Sequence, residues 1–296
     1  MGPLLGEGES AEVYAATQRG SNRSAAIKIA RAAIMPEKVR VERFEQEGIV
    51  LGRLRSPFVC ELFATGSLDD GRPWIALELL EGETLRERMS REVSLPPHVV
   101  LKVADEVLQA LVVAHAAGIV HRDLAPENIF LQRTLDGAMR TKVLDFGVAR
   151  DERATFGRTG KGTSIGSYAY SAPEQLAGRD PVGPTADLYA LGVILLEATC
   201  GRAPWGRLRG PALASIKAER DPPTLVELVE GAPRETSNYL RRLSARIPTR
   251  RFASAVAALT ALRSLSRPRE SAGRLAAEAA LVQTTTLRKG RKGPAP

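Results

Sequence analysis

The sequence predicts an α+β chain with a small strand-rich front and a larger, mainly helical back. Three observations lead there. Apolar residues alternate around turn residues in about the first 80 positions. From His98 onward they recur at helical spacing. The length, 296 residues, suits one large domain or two lobes sharing a cleft.

Taken in order, "PLLGEGESAEVYAAT" alternates around a Gly-rich bend and "SAAIKIA" is a short β-rich run, so residues 4–30 read as strand, turn, strand. Residues 37–54 carry apolar side chains at 39, 41, 44, 50, 51 and 54, roughly helical spacing. Gly48 and Gly52 lie inside that run, each costing about 1 kcal/mol against Ala, so packing must hold a mobile helix. "VCELFATGSL" and "PWIALELL" are strand signals around a "DDGRP" turn. A charged segment, "EGETLRERM", follows. Ser94 before Pro96 and Pro97 marks a helix start, and His98 to Ala117 continues it. Residues 183–201 and 236–265 read as further helices. Residues 266–296 form a basic tail, predicted to be disordered, that closes on "TTTLRKGRKGPAP".

Composition narrows the function. Apolar residues make up 44% but aromatics only 5%, so the core must rest on Leu, Val, Ile and Ala. Cys60 and Cys200 are far apart and form no CxxC or Cys/His cluster, which argues against a disulfide framework or a zinc site and for a reducing, cytoplasmic setting. No apolar run reaches the length of a membrane helix, and "MGPLLGEGES" has neither a signal-peptide pattern nor the hydroxyl residue that myristoylation wants at position 6. The net charge is +8, of which the stretch from Arg263 onward carries +6. "RKGRK" could touch nucleic-acid or membrane phosphates, but such a run is more often a solvated end, and nucleic acid is not the expected partner.

Four stretches carry chemistry. Gly6 and Gly8 in "GEGESAEVY" can let backbone N–H groups approach phosphate oxygens, although the same letters suit an ordinary hairpin turn. Lys28, between two isoleucines in "AAIKIA", reads either as an edge-strand surface residue or as a buried charge that wants a partner, with Glu47 on the next helix as candidate. "HRDLAPEN", residues 121–128, brings Asp123, a carboxylate able to accept a proton, close to Asn128. In "LDFGVAR" Asp145 adds a second carboxylate; with Asn128 it offers the hard oxygen ligands that Mg²⁺ prefers.

These motifs, with Glu47, "SAPEQ", Asp187 in "ADLYALGVILLE" and Arg251 in "PTRRF", stand in the order found in protein kinases. Over residues 4–262 the chain resembles the eukaryotic-like Ser/Thr kinases of bacteria. That resemblance implies a two-lobed protein-kinase-like fold, with an N-lobe over 1–80 containing one main helix and a C-lobe over 81–265. It implies that Gly6, Gly8 and Val13 cover ATP, and that Lys28, held by Glu47, grips its α- and β-phosphates. Ala26 and Leu131 would sandwich adenine against the backbone of Glu78 and Leu80, with Leu77 as gatekeeper. Asp145 and Asn128 would hold Mg²⁺, and Asp123 would take the substrate hydroxyl proton. Glu174 would pair with Arg251, and Asp187 would brace the catalytic loop. His121 would be architectural; His98 and His115 read as helix residues without a chemical role.

One letter departs from the pattern. Ala125 stands where the Ser/Thr family carries a Lys that neutralises charge on the moving phosphoryl group. Loss of one such contact costs about 10²–10³ in rate, by analogy with a lost oxyanion donor. Tyrosine kinases place an Arg four residues after the Asp, but Glu127 is there. The expected activity is therefore weakened Ser/Thr phosphorylation, with an ATP-binding pseudokinase serving as scaffold or switch as the alternative. Lys161 or a tail lysine could reach the position, and Ser167 keeps a hydroxyl where the family has Thr. Arg122 would meet a phosphate on the activation segment, with Thr159 and Thr163 as autophosphorylation sites. Small-molecule kinases of related fold lack "APE", so "SAPEQ" points to protein substrates. Leu4 and Leu5 stand nearly at the start, so either the first strand is short or the true start codon lies upstream.

Overall fold

The computed structural model describes residues 1–8, 10–134, 136–146, 168–178 and 181–265. Met1–Leu262 form one compact unit with two lobes. The N-lobe is an antiparallel sheet in the order β1 (Leu4–Glu7), β2 (Ala11–Thr17), β3 (Ser24–Ala30), β5 (Pro73–Glu78), β4 (Leu62–Ser67). Helix α1 (Lys38–Arg53) packs on β4 and β5. Its two glycines allow a close approach. A Cβ on Gly48 would lie 2.8 Å from Thr65 Cγ2, and one on Gly52 would lie 3.3 Å from Leu62 Cδ2.

In an antiparallel sheet, residues paired across strands share a face, as do residues two apart. Val13 pairs with Lys28, Lys28 with Ile75 and Ala26 with Leu77. One face of the N-lobe sheet therefore carries Val13, Ala26, Lys28, Ile75 and Leu77.

The charged segment after β5 is not a loop. Gly82–Thr84 is β6, and Leu85–Arg91 is α2. A capping box starts α2: Thr84 Oγ1 accepts from Glu87 N at 3.1 Å, and Glu87 Oε2 accepts from Thr84 N at 2.7 Å. β6 pairs with β7 (Ile129–Arg133), which pairs with β8 (Met139–Val143). Gly82 is required there, since its φ is +149° and a Cβ would fall 2.1 Å from Leu131 O.

The C-lobe is organised by α3 (Pro97–Ala116) and α5 (Thr185–Cys200). α5 is apolar all round and buried over most of its length, as a helix at the centre of a lobe must be. The lobe also holds α4 (Pro173–Leu176), α6 (Gly210–Glu219), α7 (Leu225–Leu228), α8 (Arg234–Leu243) and α9 (Ala255–Leu265), with α7 and α8 packed on α5. The helical reading of 236–265 is interrupted between Ser244 and Ser254, where Pro248 opens a single 3₁₀ turn. Among the described residues, no helix is long and apolar enough to cross a membrane.

Candidate active site

Lys28 projects from the sheet face defined above, and its Nζ donates to Glu47 Oε1 at 2.7 Å and to Asp145 Oδ1 at 3.0 Å. One cation thus joins β3, α1 and the strand end after β8. Lys28 and Glu47 are largely enclosed, their side chains 12% and 11% exposed, whereas that of Asp145 is 46% exposed. Burial works against a charged Lys28, but the two carboxylates outweigh it and raise its pKa. A single ammonium cannot fully compensate two anions. Burial drives Glu47 up to about 7, against the pull of Lys28. Asp145 goes the other way: burial opposes its charge, but Lys28 holds its carboxyl below the usual range.

The loop carrying Asp123 is anchored from beneath by Asp187 on α5. Its Oδ2 accepts from His121 N at 2.9 Å and its Oδ1 from Arg122 N at 2.9 Å. His115 Nε2 lies 2.8 Å from Oδ2, so this histidine, a helix residue as expected, braces the same carboxylate. His121 Nε2 lies 2.9 Å from Leu144 O, and its ring sits 4.8 Å from that of Phe146. Asn128 Nδ2 donates to Asp123 O at 2.9 Å, while Leu144 N donates to Asn128 O at 2.9 Å. The loops bearing Asp123, Asn128 and Asp145 are thereby one hydrogen-bonded group. Two of its members, Arg122 (φ +61°) and Asp145 (φ +41°), hold left-handed backbone that non-glycine residues rarely adopt. Such conformations cost about 1–3 kcal/mol each and persist where the surroundings impose them.

The "SAPEQ" stretch is tied down on both sides. Arg251 Nη1 and Nη2 grip Glu174 Oε1 and Oε2 at 2.6 and 2.8 Å. Gln175 Nε2 donates to Arg122 O at 2.8 Å, linking this stretch to the loop of Asp123. Arg86 of α2 donates to Glu127 Oε1 at 2.8 Å and Glu197 Oε1 at 3.1 Å and meets the Tyr170 hydroxyl. Ala125, half-buried, precedes the 3₁₀ turn of Pro126–Asn128.

At the join between lobes, Glu78 Oε1 accepts from Lys142 Nζ at 2.5 Å and from Glu61 N at 2.8 Å. This leaves the Glu78 side chain facing the protein. Leu80 is partly buried, and among the described residues its N–H makes no backbone bond, so a donor is available to a planar ring acceptor. Leu131 is buried on β7. Among the described residues, a Cβ on Gly6 would meet nothing within 4 Å, and one on Gly8 only Ala11 O at 3.7 Å, so the backbone of this turn is open at both glycines. These features fit Mg-ATP: open backbone over the glycines, a lysine for phosphate, and the oxygens of Asp145 and Asn128 for a hard cation. Thr159, Thr163, Lys161 and Ser167 lie outside the described residues.

The protein kinase domain family matches residues 1–257. The chain belongs to that family. Curated relatives include serine/threonine-protein kinase PknL of Mycobacterium bovis, 32% identical over 86% of this chain and 62% of its own length. Another is serine/threonine-protein kinase pkn3 of Myxococcus xanthus, 32% identical over 98% of this chain and 54% of its own length. The chain thus spans between half and two thirds of the length of these two relatives. Among solved structures, the Mycobacterium tuberculosis PknI kinase domain superposes with a TM-score of 0.67 at 29% identity, covering 88% of this chain and 93% of that one.

Sequence reasoning missed several residues of this kinase domain. Gln175 had a signal, being one letter beyond "APE". Arg86, Lys142 and Lys217 had none, because each finds its partners far away in sequence.

Proposed function

We propose that this chain is an ATP-dependent protein serine/threonine kinase that transfers the γ-phosphate of ATP to Ser/Thr hydroxyls of a protein acceptor. The observation that carries the reading is Lys28 held between Glu47 and Asp145, in one hydrogen-bonded framework with Asn128 and the loop of Asp123. The proposed division is an N-lobe over 1–80, a C-lobe over 81–265 and a tail over 266–296.

In this reading Gly6, Gly8 and Val13 cover the nucleotide, and Lys28, positioned by Glu47, contacts its phosphates. Ala26 and Leu131 enclose adenine, the backbone of Glu78 and Leu80 binds its edge, and Leu77 bounds the pocket. Asp145 and Asn128 hold Mg²⁺. When bound, Mg-ATP supplies the phosphoryl group and the metal charge that offsets it. Asp123 orients the acceptor hydroxyl and takes its proton. The ties of Glu174 to Arg251 and of Gln175 to Arg122 support a protein acceptor, because they fix the stretch beside that aspartate. Arg122 would receive a phosphate placed on Thr159 or Thr163. The two free cysteines favour a cytoplasmic setting.

The test is label transfer from radiolabelled ATP with Mg²⁺ to a generic acceptor such as casein, measured against Asp145→Ala. Transfer no higher than in that variant overturns the enzyme reading. A second reading, an ATP-binding scaffold, rests on Ala125; it predicts nucleotide binding without transfer. Intact mass after incubation with ATP tests the two threonines.

A further inference from the structure

Lys217 of α6 is the most deeply buried cation of the described residues, 0% exposed. Its Nζ donates to Tyr168 O at 2.9 Å, Ala169 O at 2.6 Å and Ser171 O at 2.9 Å. Three carbonyls take all three N–H donors of an ammonium. The ring of Tyr189 on α5 lies 5.2 Å away and adds the attraction of an aromatic face.

The strip so held borders the proposed catalytic loop on two sides. Tyr170 meets Arg86, which donates to Glu127. Farther along, Gln175 donates to Arg122 O, next to Asp123. The strip is thus tied at both ends to the loop that carries Asp123.

We infer that Lys217 is a positioning residue: its ammonium, by holding the carbonyls of residues 168, 169 and 171, fixes the strip of chain that admits the acceptor to Asp123. The functional half of this inference rests on the kinase reading above. Opening the strip would return this amine to water, so closure of the strip and the proton occupancy of Lys217 are linked.

That proton is poised to leave. Burial lowers the Lys217 pKa to about 7, and no described carboxylate compensates it; the carbonyls oppose the shift by favouring the charged form. Tyr189 from α5 faces it with its ring, and α4, which packs on α6, carries Glu174. Arg251 lies 4.9 Å from the Tyr189 ring and ion-pairs with Glu174, which takes that carboxylate out of play. Tyr168 and Tyr170 belong to the strip itself. The closed strip binds this proton less tightly than an opened one would, so closure gains as pH rises from about 7 toward the ordinary lysine value.

Hydrogen exchange of the full chain over residues 168–178, corrected for intrinsic rate, tests the clasp without any catalysis. Protection should rise about tenfold or more between about pH 7 and about pH 9 while that of α5 stays level, and Lys217→Met should show no such rise. In parallel, casein phosphorylation by Lys217→Met should lose about tenfold or more in kcat/KM for casein, with KM for ATP unchanged. Wild-type protection that stays flat or falls as pH rises, or a folded Lys217→Met with unchanged kcat/KM for casein, overturns the inference. A wild-type chain that labels nothing at any pH overturns the kinase reading instead, and the exchange profile still decides the clasp.

Discussion

Arg251 offers the sharpest energetic test. Its side chain sits where the helical pattern breaks after α8, and the residue is 3% exposed. A guanidinium has five N–H donors in a fixed fork, and here five acceptors meet them. Nε donates to Ala245 O at 2.7 Å, Nη1 to Glu174 Oε1 at 2.6 Å and Thr185 O at 2.9 Å, and Nη2 to Glu174 Oε2 at 2.8 Å and Arg246 O at 3.1 Å. Arg251→Met keeps the stem but strands the Glu174 carboxylate and three carbonyls. Breaking a buried pair on one side costs about 3–5 kcal/mol. Against a total stability of about 5–15 kcal/mol, that is a large fraction. Arg251→Lys keeps the charge beside Glu174 with only three donors, so two acceptors go unmet, at about 1–3 kcal/mol each. Urea denaturation should rank wild type above Arg251→Lys above Arg251→Met. Adding Glu174→Gln to Arg251→Met should recover part of the loss, since the stranded charge is removed. A loss below about 1 kcal/mol in Arg251→Met, or no recovery in the double variant, refutes the reasoning.

Three further predictions follow from the site and its frame. Glu47 is protonated more readily folded than unfolded, so folding takes up a proton between the ordinary glutamate value and about 7; stability should fall as pH rises through that window, and Glu47→Gln should flatten the thermal-melting profile there. Ala125→Lys should raise turnover in the labelling assay by up to about 10²–10³, and an unchanged rate means that another group already neutralises the transferring phosphate. Gly192→Val should destabilise by about 1–3 kcal/mol, because a Cβ there would lie 2.8 Å from Leu243 Cβ and 2.9 Å from Ser244 N; a melting temperature equal to wild type contradicts the tight contact of α5 with α8.

Much of the fold was legible because local signals and global arrangement agree. Alternation placed β2 and β3, the Pro-led start placed α3, and the apolar run placed α5. The β6–β7–β8 sheet was not legible. Its strands are short, and "GET" owes its conformation to Phe130, Leu131 and Gln132, which it meets only after folding. α6 mixes Gly210, Pro211 and scattered apolar residues with no clear stripe, so its existence depends on packing. The candidate site divides in the same way. Lys28, Asp123, Asn128 and Asp145 are visible as motifs, since each sits in a recognisable local string. The residues that hold those strings in place are dispersed single letters. His115 looks like any helix residue until Asp187 arrives beside it, and Lys217 looks like a surface lysine until a distant strip of chain covers it.

The Asp187 carboxylate has a consequence for heat tolerance. Two loop amides and one imidazole converge on an anion seated in the most deeply packed helix, so the loop of Asp123 inherits that helix's rigidity. Lys28 and its two carboxylates have no such foundation: one of the three is nearly half in water. On warming, the front of the cleft should therefore slacken while the floor still stands. Engineering toward hotter operation would gain more from reinforcing β1–β3 and α1 than from any change to the helical base.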